Sequence, residues 1–134
     1  MNVKLLRKVQ KFLLAEPRRF DMSQWIAPAD NEEANVLKPP PCGTACCIAG
    51  AAFMIDRKIK PRGAPERQDI QSTSIGFAAA KALGLNEDQT NRLYYTSGWP
   101  MKFEEAYEEA ETPLQRAKAG VARIEHFIKT KGAE

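Results

Sequence analysis

The sequence predicts an all-α fold: one compact domain over residues 1–134, with five or six helices. Three observations predict it. Residues 43–55 contain no charged side chain, apolar residues elsewhere recur at helical spacing, and no segment shows the alternation typical of a strand. Because a helix that is apolar on every side is normally buried on every side, we expect a buried central helix at about 43–56.

The composition is that of an ordinary globular protein, with 43% hydrophobic residues, 28% charged residues and a net charge of +3. Two of the three cysteines are adjacent in an apolar segment, which is not the pattern of a secreted disulfide framework. Charges interrupt the first apolar stretch, so it does not resemble a signal peptide, and no segment is long enough to span a membrane. We expect a cytoplasmic protein without a membrane partner.

The first predicted helix covers residues 2–16, where the apolar side chains form a wide arc and Pro17 ends the helix. A short turn follows, anchored by Phe20 and Trp25. Four prolines in residues 27–41 predict an extended loop before the central helix. A second loop, with Pro and Gly, is expected after that helix.

Residues 72–95 predict two short helices joined by a tight turn. Gly84 stands where a helix C-cap favours the left-handed conformation. Asn86 is placed to cap the next helix, and Gln89 follows three residues later, which is the spacing of a capping box.

Two further helices complete the predicted domain. An acidic helix is expected at 103–110, with Phe103, Ala106 and Tyr107 facing inward. Thr112 is the predicted cap of the last helix, and Pro113 occupies its first turn. The apolar seam of the last helix comprises Leu114, Ala117, Val121, Ile124 and Ile128.

Cys42 is the main candidate for chemistry, because it is predicted at the start of the central helix. The helix dipole lowers the pKa of a thiol at that position, and free N–H groups beside Thr44 and Cys46 would hold an anion. The alternative is that all three cysteines are apolar fillers. The Cys-x-x-Cys redox spacing and a second ligand pair are both lacking, so we expect no metal and no cofactor.

His126 and Trp99 are candidate binding residues. On a helical wheel, the single histidine lies about 170° from the centre of the apolar seam, which argues against a Cys–His pair. Trp99 and the tyrosines at 94, 95 and 107 either line a pocket or pack in the core.

The two helices of 72–95 have the outline of a DNA-binding helix-turn-helix. In such a motif, the start of the second helix faces bases and phosphates, and here it carries Glu87 and Asp88. Their charge favours a simple helical hairpin and does not favour nucleic acid as a partner.

Several segments resemble a family of small uncharacterised bacterial proteins. They are residues 19–25, 42–50, 83–85, 99–100 and 123–128, and the Cys-Gly-Thr-x-x-Cys-Ile-Ala-Gly run at 42–50 is the most specific. No activity is established for that family. The resemblance therefore implies a bacterial, cytoplasmic, single-domain protein and no site residues.

The sequence as a whole predicts a small binding or interaction module without catalytic activity. Its partner is an unidentified protein or small molecule, and a homodimer is left open. The alternatives are a thiol-dependent activity at Cys42 and DNA binding through residues 72–95.

Overall fold

The computed structural model describes residues 1–23, 26–27, 45–58 and 72–134. Six α-helices lie in this part of the chain, and the predicted all-α fold is confirmed. None of these helices is long and apolar enough to cross a membrane. The helices are α1 (Val3–Ala15), α2 (Ile48–Asp56), α3 (Ser72–Leu83), α4 (Glu87–Tyr94), α5 (Met101–Glu108) and α6 (Pro113–Lys129).

Two pairs of minor elements connect the helices. Short 3₁₀ turns follow α1 and α4, at Pro17–Arg19 and Thr96–Gly98. Two-residue strands, β1 (Ile26–Ala27) and β2 (Ala45–Cys46), pair antiparallel. Trp25 and most of the two predicted loops, residues 28–44 and 59–71, lie outside the described residues.

Helix α2 is the centre of the fold, as predicted. All its residues from 48 to 54 are buried, and α1 and α3 pack directly against it. The predicted start of the helix was wrong, because α2 begins at Ile48 rather than near residue 43. The backbone of 45–46 makes its hydrogen bonds in the strand pair instead, and the extended residue Cys47 caps the helix.

Helix α1 packs between α2 and α6. Its predicted apolar face is confirmed, since Leu5, Leu6, Val9 and Leu13 are buried. The Asn2 side chain caps the helix by accepting a hydrogen bond from the Leu5 N–H at 3.0 Å. The Asn2 amide groups also donate to carbonyls at the end of α3, which ties the start of the chain to that helix.

The turn between α3 and α4 has the predicted caps. Gly84 adopts φ +64°, and its N–H donates to the Lys81 carbonyl while the Leu85 N–H donates to the Ala80 carbonyl. These two bonds form a Schellman motif. Asn86 and Gln89 exchange both bonds of a capping box, so α4 begins immediately after a three-residue turn.

Helix α6 packs against both α1 and α5. The Thr112 cap is confirmed as a capping box with Gln115. The predicted inward positions of Ala106 and Leu114 were wrong, because both residues are exposed. Because α6 contacts a neighbouring helix on each of two sides, it buries a wider face than the single predicted seam. The buried residues of this face are Ala117, Ala119, Gly120, Arg123, Ile124 and Phe127.

Candidate functional site

A groove of about 730 Å³ lies between α3 and α4. Helix α3 packs on α2, and α4 follows α3 after the turn at Gly84, so the groove lies along the hairpin that these two helices form. Its lining is mostly apolar. The apolar residues are Gly76, Phe77, Ala80, Leu85, Tyr94 and Tyr95.

Two large aromatic side chains on the groove are unusually exposed. Phe77 on α3 is 74% exposed, and Tyr95, which follows α4, is 50% exposed. Gly76 and Ala80 are four residues apart on α3 and therefore lie on one face of the helix. Glycine has no side chain and alanine has only a methyl group, so this face of α3 leaves space in the groove. Exposed aromatic residues around a concave surface are typical of a binding site.

The polar residues of the groove belong to the end near the turn. Lys81 lies in the last turn of α3, and Glu87 lies in the first turn of α4. Within the described part of the chain, neither side chain forms an ion pair. The Thr90 hydroxyl, in contrast, donates to the Asn86 carbonyl at 2.7 Å. Lys81 and Glu87 are thus the charged groups that a ligand in the groove would meet.

Tyr94 closes the inner side of the groove. Burial raises the pKa of its hydroxyl far above the ordinary value, and the nearby Cys47 thiol raises it further. The phenol therefore stays protonated at physiological pH. At this depth the groove offers a neutral aromatic surface and no ionised oxygen.

The described cysteines lie in the core rather than in the groove. Cys46 is completely buried in β2, and Cys47 is buried at the start of α2. The Cys47 Sγ accepts a hydrogen bond from the Gly50 N–H at 3.5 Å, yet burial raises the pKa of this thiol to about 11. Neither environment activates a nucleophile. The other two residues of the predicted cysteine site, Cys42 and Thr44, lie outside the described residues.

His126 lies in the last turn of α6, where Glu134 and Phe103 contact its ring. Its Nε2 lies 2.7 Å from a Glu134 carboxylate oxygen, and its ring packs on Phe103 with a centroid distance of 5.1 Å. None of its hydrogen bonds or ring contacts in the described structure involves Cys46 or Cys47. The structure therefore does not bring this histidine together with the described cysteines.

The aromatic candidates separate into three environments. Trp99 is buried, and its indole N–H donates to the Leu93 carbonyl at 3.1 Å. Tyr94 and Tyr95 line the groove, whereas Tyr107 lines a different cleft. The prediction had assigned these aromatic residues to a pocket or to the core, and the structure contains both cases.

Phe77 and Lys81 line the groove, although neither was predicted to be a binding residue. Ile75, Ala79 and Leu83 form the buried face of α3, and Phe77 does not lie on that face. A large apolar residue on an otherwise exposed face is the pattern that would have indicated it.

Comparisons with protein-family models, with curated proteins and with solved structures find no match. The family resemblance stays a prediction. The described residues contain no cluster of three or more His, Cys, Asp or Glu side chains placed to hold a metal ion.

Proposed function

We propose that this protein is a small binding module and that its ligand is a small amphiphilic molecule held in the groove between α3 and α4. The observation that carries the proposal is the exposure of Phe77 and Tyr95 at the edges of one concave, mostly apolar surface. The apolar body of the ligand lies between these rings, and its polar end reaches Lys81 and Glu87.

The size of the groove supports a small molecule as occupant. Ligand pockets usually enclose roughly 300–1,000 Å³, and this groove measures about 730 Å³. Such pockets combine an apolar lining with a few polar groups that orient the ligand. The groove has this arrangement, because its charged residues belong to the turn end and its exposed rings flank the apolar part.

The two alternative functions have less support. DNA binding through the hairpin would direct the exposed carboxylates of Glu87 and Asp88 toward phosphates, and like charges repel. A thiol-dependent activity would rest on Cys42 alone, because Cys46 and Cys47 are buried. A binding role, in contrast, uses the exposed aromatic side chains that line one groove, Phe77 and Tyr95.

The proposal includes a reducing compartment, the bacterial cytoplasm. Its support is the cysteine pattern, in which Cys46 and Cys47 are adjacent and buried in an apolar segment, unlike the cysteines of a secreted disulfide framework. Fractionation of cells that express the full chain tests this part, and recovery from the periplasm would contradict it.

The groove is tested with 1-anilinonaphthalene-8-sulfonate, a fluorescent probe that has an apolar aromatic body and an anionic end. We expect the folded protein to bind it, Ala80→Trp to block binding by filling the groove, and Phe77→Ala to weaken binding. Met101→Ala is the matched control, because Met101 is 72% exposed and lies outside the groove. Equal fluorescence with wild type and Ala80→Trp would reject the site.

Light scattering separates a small ligand from a second copy of the chain. If the groove holds a small molecule, wild type and Ala80→Trp have the same mass. If wild type is a dimer and Ala80→Trp is a monomer, the occupant is a second copy and the small-molecule proposal is wrong. A dimer that Ala80→Trp does not affect places the self-association elsewhere and keeps the groove available.

A further inference from the structure

A second, polar cleft of about 320 Å³ lies among three segments on another part of the surface. One is the turn after Arg19, another is the 3₁₀ turn that begins at Thr96, and the third is the junction of α5 and α6. The Asp21 N–H donates to the Cys46 carbonyl at 3.1 Å, which holds the first segment against β2. The cleft is lined by Asp21, Met22, Ser23, Thr96, Tyr107, Glu108 and Arg116.

Arg116 is the residue whose bonding is incomplete in this polar cleft. Its side chain is half-buried, and its guanidinium carbon lies 5.6 Å from the centroid of the Tyr107 ring. The Nε atom is buried and has no hydrogen-bond partner in the described structure. No carboxylate within the described ranges forms an ion pair with Arg116. No hydrogen bond or ion pair to another described residue uses the two Nη atoms either, so their N–H groups are the donors available for a ligand in the cleft.

The Tyr107 hydroxyl is a second donor in the polar cleft. Its oxygen accepts a hydrogen bond from the Met22 N–H at 2.8 Å, and its hydrogen has no acceptor among the described residues. Burial raises the pKa of Tyr107, which keeps that hydrogen in place at physiological pH. The paired N–H donors of the Arg116 guanidinium and the hydroxyl of Tyr107 together suit a carboxylate.

Two acidic residues determine what else the ligand must carry. The Asp21 carboxylate uses one oxygen, Oδ1, to accept from the Ser23 N–H at 2.9 Å and the Ser23 hydroxyl at 2.7 Å. Its other oxygen makes no further bond in the described part of the chain. Glu108 is exposed on the same cleft. One positive and two negative side chains repel a simple anion more than a ligand with a positive group of its own.

We propose that the polar cleft binds a free α-amino acid or a similarly small zwitterion. The carboxylate of the ligand lies on the Arg116 guanidinium and the Tyr107 hydroxyl, and its ammonium group faces Asp21 and Glu108. The cleft volume lies at the lower end of the range for ligand pockets, which matches a compact molecule. This site does not depend on the groove between α3 and α4.

The proposal is tested by titrating the full ¹⁵N-labelled chain with glycine, L-alanine, L-serine and L-glutamine, followed by amide chemical shifts. Acetate, methylammonium and inorganic phosphate are the single-charge controls. We expect saturable shifts at Ser23, Thr96, Glu108 and Arg116 with at least one amino acid, and weaker effects with each control. Failure of all four amino acids to bind would overturn the proposal, and so would equal binding of acetate or phosphate.

Two substitutions test the two ends of the ligand. Arg116→Gln should weaken amino-acid binding by about tenfold or more, because it removes charge-assisted hydrogen bonds. Arg57→Gln is the matched control: Arg57 also packs over an aromatic ring, Phe53, but lies outside the cleft. Asp21→Asn keeps an acceptor for Ser23 but removes the negative charge. It should therefore weaken the binding of amino acids and strengthen the binding of acetate.

Arg116→Gln could also weaken binding by unfolding the protein. Arg116→Lys tests for this, because it retains the positive charge at the same position. Folding of each variant is checked by its thermal transition. Unchanged amino-acid binding in folded Arg116→Gln would reject the site. Weakening by Arg57→Gln as large as by Arg116→Gln would reject it as well.

Discussion

The ring of Phe20 occupies the space that a side chain at position 120 would need. A Cβ on Gly120 would lie 2.6 Å from the Cε1 and Cζ atoms of that ring, well inside van der Waals contact. Phe20 is buried, and its ring meets Tyr107 edge-on at 5.6 Å, so it has little room to move away. The glycine therefore allows α6 to approach the turn that follows α1.

Gly120→Ala should destabilise the protein even though alanine favours helix. Alanine gains roughly 1 kcal/mol of helix propensity over glycine. Overpacking a filled core costs about 1–3 kcal/mol, so we expect a net loss of about 1 kcal/mol at this site. Urea unfolding measures the difference, and Ala122→Gly on the exposed side of α6 serves as the propensity control.

A double-mutant cycle with Phe20→Leu identifies the cause. If the ring is the obstacle, Gly120→Ala costs less free energy of unfolding in the Phe20→Leu background than in wild type. Equal costs in both backgrounds would show that the ring is not the obstacle.

The ion pair between Arg7 and Glu125 should make stability depend on acid pH. The two terminal guanidinium nitrogens of Arg7, Nη1 and Nη2, contact the Glu125 carboxylate and join α1 to α6. The hydrogen bond from Arg7 is the main cause that lowers the pKa of Glu125 in the folded protein, and the bond from Gln10 adds to it. This stabilisation is fully present above the ordinary pKa of 4.5 and is lost as pH falls through the lower folded value.

Thermal unfolding of wild type and Glu125→Gln measures this effect. We expect the variant to be less stable at neutral pH and the difference to shrink as the pH falls below 4.5. High salt should reduce the difference at neutral pH, because both side chains are partly exposed. A difference that is the same at pH 7 and at about pH 2 would contradict the ion pair as its cause. Glu105→Gln on the exposed face of α5 is the control.

The two described thiols should resist alkylation in the folded protein. In a Cys42→Ser variant, iodoacetamide should modify Cys46 and Cys47 more than about a hundredfold more slowly without denaturant than in guanidinium chloride. The reason is burial, which also raises the pKa of Cys47 to about 11 and keeps it protonated at neutral pH. Mass spectrometry measures the rates, and rapid native modification would contradict the buried placement.

The same reagent decides the thiol-dependent alternative. Cys42 in the wild-type chain supports that alternative only if it reacts natively with a pKa below that of a free thiol. A rate that follows the titration of a free thiol, or no native reaction, would remove the alternative.

The capping box at Thr112 should contribute to the stability of α6. Its Oγ1 accepts a hydrogen bond from the Gln115 N–H at 3.2 Å, and the Thr112 N–H donates to the Gln115 side-chain oxygen, also at 3.2 Å. Thr112→Ala should cost about 1 kcal/mol in the free energy of unfolding. Thr112→Ser retains the oxygen and should cost much less, and equal losses for the two variants would show that the cap is not responsible.

Local patterns in the sequence were sufficient to predict where several helices begin or end. Gly84, Asn86 and Thr112 act through residues within a few positions of themselves, so their spacing alone predicts the caps. The absence of charge in 43–55 likewise predicted a buried helix. The start of α2 was misplaced because 45–46 pair with a strand distant in the sequence, and propensity carries no information about that partner.

The sites depended on contacts that no local pattern contains. Arg123 is completely buried, donating to the Arg92 and Glu134 carbonyls at 2.9 and 3.0 Å, although arginine is normally exposed. Tyr107 was expected to face inward, but only the tertiary structure placed its hydroxyl in a cleft beside Arg116.

The sequence by itself determined the helical class, the buried central helix and the capped turns, because these follow from the periodicity and chemistry of neighbouring residues. Tertiary structure alone decided that α3 and α4 enclose a groove, that α6 buries a face wider than its seam, and that Arg116 and Asp21 line one cleft. Each of these depends on how distant helices pack against one another, and packing brings together residues whose separation along the chain gives no indication of contact.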